Sequence, residues 1–470
     1  ERRRDSSTLM ASYTLVAIEN FKLQSCIGQA HARMDDSGPG RSGPLVGSKT
    51  DFYQQIEGGK KWPVHVYSAA NVPKMDLLSE SDPYVALSIV DQNDELVEPA
   101  QTESTLAFED DSDPVWNAYR VLATGPKVDT STCKLRLEIY DYDPRDPDDH
   151  IGTVTAPLSE LADYNLVTRT AMRKGKPVLG TKSKAECTLT FGLARTSPTN
   201  QKILYMIRHG ESKWNEAQTD MNLMGMLKTV DHPLNVTGVE QACTLNDLWT
   251  TARPSSESGD EFDSEFFKVE KAYCSPLTRA VETALVSLDS HPVMENGLAL
   301  LRNLREAKNL GGQDTVGKHL GCAIQTHVYK ELASIGRKME SERIISLAAE
   351  KKVQLNPNDC SCKGRWWNTA AEIESEEHVE ARLRAVTMFL SSQPEKSAIL
   401  VGHSLYFRDL VRNFLKDGEG LSASNPDLAS LLRKEKLQNA ACLGLKIDFS
   451  NVYEPCILDA KLMFGTGTTP

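Results

Sequence analysis

In this 470-residue chain, residues 208–212 have the sequence Arg-His-Gly-Glu-Ser, and their side chains suit a chemical reaction. Arg208 and His209 directly follow an apolar run, residues 203–207, which predicts a buried strand. Gly210 supplies a sharp turn, so both side chains are presented at the carboxyl end of that strand, where ligands bind in open α/β sheets. A cation beside a potential nucleophile suits a phosphate group.

Two later segments supply similar chemistry at the ends of other apolar runs. Ser275 is a natural N-cap and Pro276 fits the first position of a helix, so the sequence predicts Arg279 in the first helical turn. The positive end of a helix binds anions. His403 follows the apolar run 398–401 and a glycine in the same way. Three strands are therefore expected to end in Arg-His, in Arg and in His.

This layout resembles the histidine phosphatase superfamily, which includes the cofactor-dependent phosphoglycerate mutases. The resemblance spans about 202–449 and rests on four segments in this order: 208–215, 233–238, 274–283 and 401–404. It implies a three-layer α/β/α domain. It also implies a covalent phosphohistidine on His209, which splits one difficult transfer into two easier ones.

The roles of the individual side chains follow from their types and from this resemblance. His209 must be neutral at one ring nitrogen to attack phosphorus. The like charges of Arg208, Arg279 and a protonated His403 disfavour its protonation and stabilise charge on the phosphoryl oxygens. The resemblance adds Asn215 as a hydrogen-bond donor to the phosphate.

A general acid must protonate the leaving oxygen. Residues 304–306, Leu-Arg-Glu, match the family's Leu-x-Glu segment, so the resemblance implies Glu306 as the acid, which could then activate water. Glu211 is the rival, but its placement in the first motif suits structural hydrogen bonding better. This phosphotransfer chemistry is expected to require no cofactor.

The choice between a phosphatase and a mutase depends on residues beyond this acid. The mutases pair their acid with a Tyr-Gly segment and add a later Arg-Arg/Pro-rich stretch, whereas this chain has Leu-Gly-Gly at 310–312 and no recognisable later stretch. We therefore predict a phosphomonoester hydrolase of the histidine acid phosphatase-like type, with mutase-type phosphotransfer as the less favoured alternative. An insert at about 315–358 is helical in pattern and is expected to cap the pocket.

The N-terminal half contains acidic loops between short apolar runs. Asp76 and Asp82 lie in one loop, and Asp141, Asp143 and Asp149 lie in a second. Carboxylates at adjacent loop ends repel one another, and Ca²⁺, which accepts many oxygen ligands in irregular geometry, relieves that repulsion. The plainer alternative is that these Asp residues are ordinary turn formers and N-caps.

These segments resemble C2 domains, the calcium-dependent lipid-binding β-sandwiches. The match covers most of 62–193, including 81–85, 114–117 and both acidic loops, and all five positions at which the family uses calcium ligands hold Asp. The resemblance implies calcium-dependent recruitment to anionic phospholipid membranes, with Leu77 and Leu78 able to insert shallowly. A further alternative for the whole chain is a non-catalytic, calcium-dependent membrane adaptor that uses a retained phosphate pocket for binding.

Together these patterns predict an all-β domain followed by an α/β domain, because regular short β runs give way to strands that alternate with helical patterns. The expected domains are an N-terminal antiparallel β-sandwich at 61–193 and a three-layer α/β/α domain at 201–450. A poorly defined N-terminal segment and linker at 1–60 and a C-terminal tail at 451–470 are expected to flank them.

Bulk properties argue against several classes of function. A net charge of −12 argues against a broad nucleic-acid-binding face, so no nucleic-acid partner is expected. The ten cysteines are dispersed without the paired spacing of a zinc site, so a reducing cytosolic compartment fits best. The sequence contains neither a bilayer-spanning run nor a secretory signal pattern. We expect a cytoplasmic protein with peripheral membrane association, whose partners are a phosphorylated substrate and anionic phospholipid.

Overall fold

The structure, a computed structural model, describes residues 58–469 with gaps at 76–79, 109, 144–146, 163–164, 195–199, 228, 253–259, 308–312, 352–354, 356–361, 363–365 and 368–373. Nearly all of the predicted N-terminal segment, 1–60, lies outside the described residues. Asp76, Leu77, Leu78 and the Leu-Gly-Gly segment at 310–312 lie outside them as well.

The short β runs between residues 60 and 193 form two antiparallel sheets. In chain order the strands are β1 (Lys60–Ala70), β2 (Pro83–Val90), β3 (Thr102–Ser104), β4 (Val115–Thr124), β5 (Lys134–Asp141), β6 (Asp149–Pro157), β7 (Val167–Thr170), β8 (Met172–Arg173), β9 (Lys176–Pro177) and β10 (Thr188–Leu193). Within the described residues, the sheet orders are β4-β1-β10-β7 and β3-β2-β5-β6-β8-β9. Leu135, Leu137 and Ile139 alternate along β5 into the core between the sheets, as one buried face requires. The predicted β-sandwich is confirmed.

The second half of the chain alternates strands with helices. Its strands are β11 (Gln201–Arg208), β12 (Lys271–Cys274), β13 (Leu298–Leu300), β14 (Ser397–Gly402), β15 (Lys436–Leu437), β16 (Cys442–Asp448), β17 (Cys456–Leu462) and β18 (Thr468–Thr469). Its helices are α1 (Lys213–Thr219), α2 (Leu223–Leu227), α3 (Val236–Thr251), α4 (Glu261–Phe266), α5 (Thr278–Ser287), α6 (Cys322–Lys338), α7 (Glu342–Glu350), α8 (Glu376–Ser392), α9 (Ser404–Phe414), α10 (Gly420–Ser424) and α11 (Pro426–Lys434). Short 3₁₀ segments lie at Leu158–Leu161, Pro292–Asn296, Arg302–Leu304, Gln313–Thr315 and Met463–Gly465.

The main sheet of this half has the strand order β13-β12-β14-β11-β16-β17 among the described residues. β13, β12, β14 and β11 are mutually parallel, whereas β16 and β17 run antiparallel to their neighbours. Ile203, Tyr205 and Ile207 of β11 face the apolar core that includes α3 and α5, and Leu204 and Met206 face the core that includes α8 and α9. Helices therefore cover both faces, and the predicted three-layer α/β/α arrangement is confirmed.

The C-terminal residues 451–470 differ from the predicted tail. Strand β17 pairs with β16 and forms the edge of the main sheet, and β18 pairs with β15. Ile457 and Ala460 are buried and join the apolar core on one face of the sheet, so this segment belongs to the α/β domain. The sequence did not predict strand β17, because its seven residues include the charged Asp459 and Lys461, which weaken the apolar pattern.

The sandwich and the α/β domain contact each other directly and belong to one compact unit. Arg302 donates from Nη2 to the carbonyl oxygen of Ala107 at 3.1 Å, and its guanidinium lies 3.9 Å from the centre of the Phe108 ring. Tyr453 donates from its hydroxyl to the carbonyl oxygen of Val121 at 2.8 Å. The sandwich therefore rests against the 3₁₀ segment that carries Arg302. No helix in the described part of the chain has both the length and the apolar character needed to cross a membrane.

Candidate active site

Three neighbouring strands end together at one edge of the main sheet. β14 lies between β11 and β12, and Arg208 pairs with Gly402 while Cys274 pairs with Val401. The residues that follow these strands, His209 and His403 among them, therefore meet at the carboxyl edge of the parallel strands. The two imidazole ring centres lie 5.0 Å apart.

His209 has the environment of a neutral nucleophile. It is 4 % exposed, and its Nδ1 lies 2.6 Å from the carbonyl oxygen of Gly210. Because a carbonyl only accepts, Nδ1 carries the proton and Nε2 keeps its lone pair. Arg279 donates from Nε to that Nε2 at 3.3 Å. Burial, followed by the charges of Arg279 and Arg208, lowers the pKa of His209 well below its usual range.

Gly210 is required for the turn that follows the nucleophile. Its backbone N–H donates to the hydroxyl of Thr283 at 3.0 Å. A β-carbon at this position would lie 2.4 Å from the carbonyl oxygen of Gly238, at the start of α3, so the turn packs against that helix too closely for any side chain. The close backbone contact fixes the direction in which His209 enters the pocket.

The helix that carries Arg279 begins later than the sequence predicts. Ser275 is not its N-cap, because α5 starts at Thr278 and Leu277 takes the cap position without a side-chain bond. The carboxylate of Asp231 accepts from the backbone N–H and the hydroxyl of Thr278, both at 2.8 Å, and so replaces the serine as the acceptor at the helix start. Arg279 still occupies the first turn, as predicted.

The two arginines are each held by a backbone carbonyl group. Arg279 is 1 % exposed and donates from Nη1 to the carbonyl oxygen of Asp314 at 2.7 Å. Arg208 donates from Nη1 to the carbonyl oxygen of Leu437 at 2.6 Å, and its Nε has no hydrogen-bond partner in the described part of the chain. Burial lowers the pKa of Arg208, although the charge of Glu306 opposes this effect. The guanidinium groups are therefore positioned before any phosphate binds.

His403 is fully buried, and its surroundings oppose the predicted protonation. Its Nε2 lies 2.8 Å from the Ser275 hydroxyl oxygen, while its Nδ1 has no hydrogen-bond partner among the described residues. Burial, followed by the charge of Arg279, lowers the pKa of His403 well below its usual range. Both effects oppose the predicted protonation of His403 in the free site, because a nearby cation disfavours a further positive charge.

Glu306 lies at the start of helix α9. Its Oε1 accepts from the backbone N–H groups of Ala307 and Tyr406, both at 3.0 Å, and its Oε2 accepts from that of Leu405 at 3.4 Å. Burial raises the pKa of Glu306, although the Tyr406 N–H and Arg279 oppose the rise. A raised pKa favours the protonated form of a carboxyl group, which is the form that a general acid needs.

Glu211 and Asn215 take up structural hydrogen bonds. Glu211 Oε1 accepts from the Asn235 amide nitrogen at 2.7 Å, in agreement with its expected structural position. The Asn215 Oδ1 accepts from the backbone N–H and the hydroxyl of Ser212, at 3.1 and 2.9 Å, within a capping box at the start of α1. Only the Nδ2 group of Asn215 is then left as a donor to phosphate, so its predicted role stays a proposal.

An ion-pair network behind Glu306 was not predicted. Arg382 donates from Nη1 to the carbonyl oxygens of Asn303 and Arg305, both at 2.9 Å, and pairs with both carboxylate oxygens of Glu374 at 2.6 and 2.8 Å. It therefore holds the backbone that leads directly to Glu306. The sequence contains no local signal for this network, because Arg382 lies 77 residues from Arg305.

The acidic residues of the sandwich accept hydrogen bonds from backbone N–H groups of their own loops. Asp141 Oδ1 accepts from the Asp82 backbone N–H at 2.6 Å, and Asp82 Oδ1 accepts from that of Asp110 at 2.8 Å. Asp149 lies opposite Asp141 in the β5–β6 ladder. The Asp143 backbone N–H donates to Asp148 at 3.0 Å, and Asp148 also accepts from the Tyr84 hydroxyl at 2.7 Å. Asp148 is therefore a loop-organising residue that the sequence did not single out.

The donor atoms at these loops fit Ca²⁺ in type, because it binds oxygen ligands and carboxylates above all. Their arrangement does not amount to a metal site, since no three acidic, His or Cys side chains in the described ranges are grouped so as to hold a metal ion. Asp76, the fifth predicted ligand, lies outside the described residues. Calcium binding is accordingly left to experiment.

The fold defines a two-domain protein in which a β-sandwich is followed by an α/β domain whose parallel strands bring His209, Arg279 and His403 together. Residues 60–172 match the family model of the C2 domain. Residues 204–309 match that of the histidine phosphatase superfamily, branch 1. The chain therefore carries a C2 domain followed by a histidine phosphatase superfamily domain, and both resemblances inferred from the sequence are confirmed.

Comparisons with individual proteins match parts of the chain. Human cytosolic phospholipase A2 delta is 35 % identical over 108 residues, which are 23 % of this chain and 12 % of that protein, so the chain spans about an eighth of the length of this relative. A phosphoglycerate mutase from Bacillus anthracis is 17 % identical, with 57 % of this chain and 94 % of that chain covered at a TM-score of 0.30. A mycobacterial glucosyl-3-phosphoglycerate phosphatase is 17 % identical, with 57 % and 100 % covered at a TM-score of 0.29.

Proposed function

We propose that the protein is a phosphomonoester hydrolase that works through a phosphohistidine on His209 and needs no cofactor for this reaction. The observation that carries the proposal is the Nε2 of His209, which is unprotonated, buried, and 3.3 Å from the Nε of Arg279. An unprotonated ring nitrogen beside a guanidinium can attack a phosphoryl group whose oxygens the guanidinium holds.

The first half of the reaction transfers the phosphoryl group to the protein. The His209 Nε2 lone pair forms a bond to phosphorus as the bond between phosphorus and the ester oxygen breaks. Glu306 gives its proton to the leaving oxygen, so the product is a neutral alcohol and Glu306 becomes a carboxylate. The ring then carries positive charge, which the Gly210 carbonyl oxygen stabilises through the Nδ1 proton.

The second half releases the phosphate. The Glu306 carboxylate takes a proton from a water molecule, whose oxygen attacks phosphorus while the bond to His209 breaks. Inorganic phosphate leaves and Glu306 is protonated again. Transfer to a second hydroxyl group in place of water would give mutase-type chemistry from the same residues. We favour water on the sequence difference at 310–312.

The test is hydrolysis of a generic aryl phosphate by the full chain and by His209→Asn, which keeps the side-chain size but removes the nucleophile. We expect turnover to fall by about 10³-fold or more. His378→Asn is the matched control, because His378 is an exposed residue near the start of α8, and it should keep wild-type turnover. Wild-type protein that binds phosphate without turning over any ester would favour the alternative of a non-catalytic adaptor.

We also propose that the C2 domain brings the protein to anionic membranes when calcium is present, which would make it a peripheral membrane protein of the cytoplasm. The C2 match and the acidic loops at Asp82, Asp141, Asp143 and Asp149 support this. The test is sedimentation with vesicles of phosphatidylserine and phosphatidylcholine, with calcium or with a chelator. Asp143→Asn should weaken calcium-dependent binding, and equal wild-type binding in chelator would exclude calcium control.

A further inference from the structure

A carboxylate stands next to the phosphate-binding arginine. Asp314 lies in the 3₁₀ segment Gln313–Thr315 and has two contacts with Arg279. Its carbonyl oxygen accepts from Arg279 Nη1 at 2.7 Å, and its Oδ2 lies 3.6 Å from Arg279 Nη2. The Arg279 side chain is 1 % exposed and that of Asp314 is 18 % exposed. Asp314 therefore covers the solvent side of a guanidinium that is otherwise buried.

Asp314 lies one guanidinium group away from the proposed nucleophile. Its Oδ2 is 3.6 Å from Nη2 of Arg279, and the Nε of the same arginine lies 3.3 Å from Nε2 of His209. A phosphate ester held by Arg279 at His209 is therefore within reach of the charge of Asp314. Burial raises the pKa of Glu306, and the charge of Asp314 adds to that rise. Because His209, Arg279 and Glu306 are buried, the organic part of a substrate, which is attached to the ester oxygen, has to extend toward solvent, and Asp314 is the more exposed partner of the Arg279–Asp314 pair.

We propose that Asp314 is a specificity-determining residue that selects phosphate esters with a neutral or cationic leaving group and disfavours those that carry a carboxylate near the ester oxygen. The proposal rests on the hydrolase function proposed above and names its substrate class. A negative leaving group would face the like charge of Asp314 in a partly desolvated site, whereas an ammonium group would be attracted.

Two described lysines, Lys213 and Lys318, do not remove this selection. Lys213 is paired with Glu331, with 3.4 Å between Nζ and Oε2. Lys318 is exposed to solvent, where its charge is screened. Within the described residues, the side-chain charge paired with Arg279 is that of Asp314. The preference among leaving groups should therefore follow Asp314.

The test compares kcat/KM of wild-type protein and Asp314→Asn for three alkyl phosphates, namely phosphoethanolamine, glycerol 3-phosphate and 3-phosphoglycerate. The leaving groups are cationic, neutral and anionic. We expect Asp314→Asn to raise the ratio of 3-phosphoglycerate to glycerol 3-phosphate by about tenfold and to lower the ratio of phosphoethanolamine to glycerol 3-phosphate. The backbone carbonyl group that binds Arg279 remains, so the substitution removes only the charge.

Asp417→Asn is the matched control, because it removes one negative charge from a carboxylate that is 89 % exposed and paired with Arg433. It should leave both ratios unchanged. Asp314→Ser repeats the test if Asp314→Asn does not fold, as judged by its thermal unfolding midpoint. Unchanged ratios in a folded Asp314 variant, with hydrolysis that still depends on His209, would overturn the specificity proposal alone. Absence of hydrolysis of every ester by the wild-type protein would overturn the hydrolase function as well.

Discussion

The phosphate pocket and the acidic loops of the C2 domain both gather like charges at the ends of strands, yet they handle these charges in opposite ways. In the pocket, backbone carbonyl groups accept from Arg208 and Arg279, and the Arg208 Nε and His403 Nδ1 have no hydrogen-bond partner among the described residues. In the loops, the carboxylate oxygens of Asp82 and Asp141 accept hydrogen bonds from backbone N–H groups of the loops themselves.

This difference bears on what substitutions in each region should do. In the pocket, hydrogen bonds to backbone carbonyl groups already fix the positions of Arg208 and Arg279. In the loops, no three acidic, His or Cys side chains of the described residues are grouped so as to hold a metal ion. Substitutions in the pocket should therefore act on turnover, and substitutions in the loops should act on stability and membrane binding.

The largest expected effect concerns the general acid. Glu306→Gln should lower turnover of an alkyl phosphate by about 10²–10⁴-fold, because an amide cannot protonate the leaving oxygen. An aryl phosphate with an acidic phenol as its leaving group should lose much less, because its oxygen leaves without a proton. The measurement is kcat across esters of graded leaving-group acidity. Equal losses for all esters would contradict the role of Glu306 as the acid.

Most of this pocket could be predicted from the sequence, because Arg208 ends an apolar strand and His209 and His403 each directly follow one. Their neighbours in space could not be predicted. Ser275 contacts His403 across 128 residues of sequence, and Asp231 contacts Thr278 across 47. Such partners are brought together only by the packing of the sheet, and short polar residues in loops give no local sign of it.

The fold of both domains could be predicted for a related reason, because the apolar patterns of strands, with period two, and of helices are local in the sequence. The pattern did not reveal strand β17, whose charged residues Asp459 and Lys461 interrupt it. The start of α5 was misplaced because Ser275 and Pro276 form a good local N-terminal signal, yet Asp231 supplies the acceptor from elsewhere. Tertiary contacts override local capping preference at this position.

The pH dependence of kcat/KM is the next test, and it concerns the pocket alone. His209 is active when neutral, so activity is lost as pH falls through its pKa, which burial lowers from the usual 6.5. Glu306 is active when protonated, so activity is lost as pH rises through its pKa, which burial raises from the usual 4.5. We expect a bell-shaped profile whose acidic limb lies below 6.5. Glu306→Gln should lack the basic limb, and an acidic limb above 6.5 would contradict the account.

The smallest expected effect concerns the loops. Asp141→Ala removes the acceptor of the Asp82 backbone N–H and should lower the free energy of unfolding by about 1–3 kcal/mol, without a change in turnover per folded molecule. Asp149→Ala, at an exposed position opposite Asp141, should change that free energy by less than about 0.5 kcal/mol. Urea denaturation followed by near-ultraviolet circular dichroism measures both. Equal effects would show that Asp141 has no special part in holding the loop.

The most direct test of the central claim is capture of the covalent intermediate. Wild-type protein is mixed with an ester that carries a radiolabelled phosphoryl group, and the reaction is stopped in alkali during turnover. We predict label on the protein that is stable in alkali and released by acid, as expected of a phosphohistidine, and no label on His209→Asn. Absence of labelled protein together with full activity of His209→Asn, or label bound through an alkali-labile and acid-stable linkage, would contradict the mechanism.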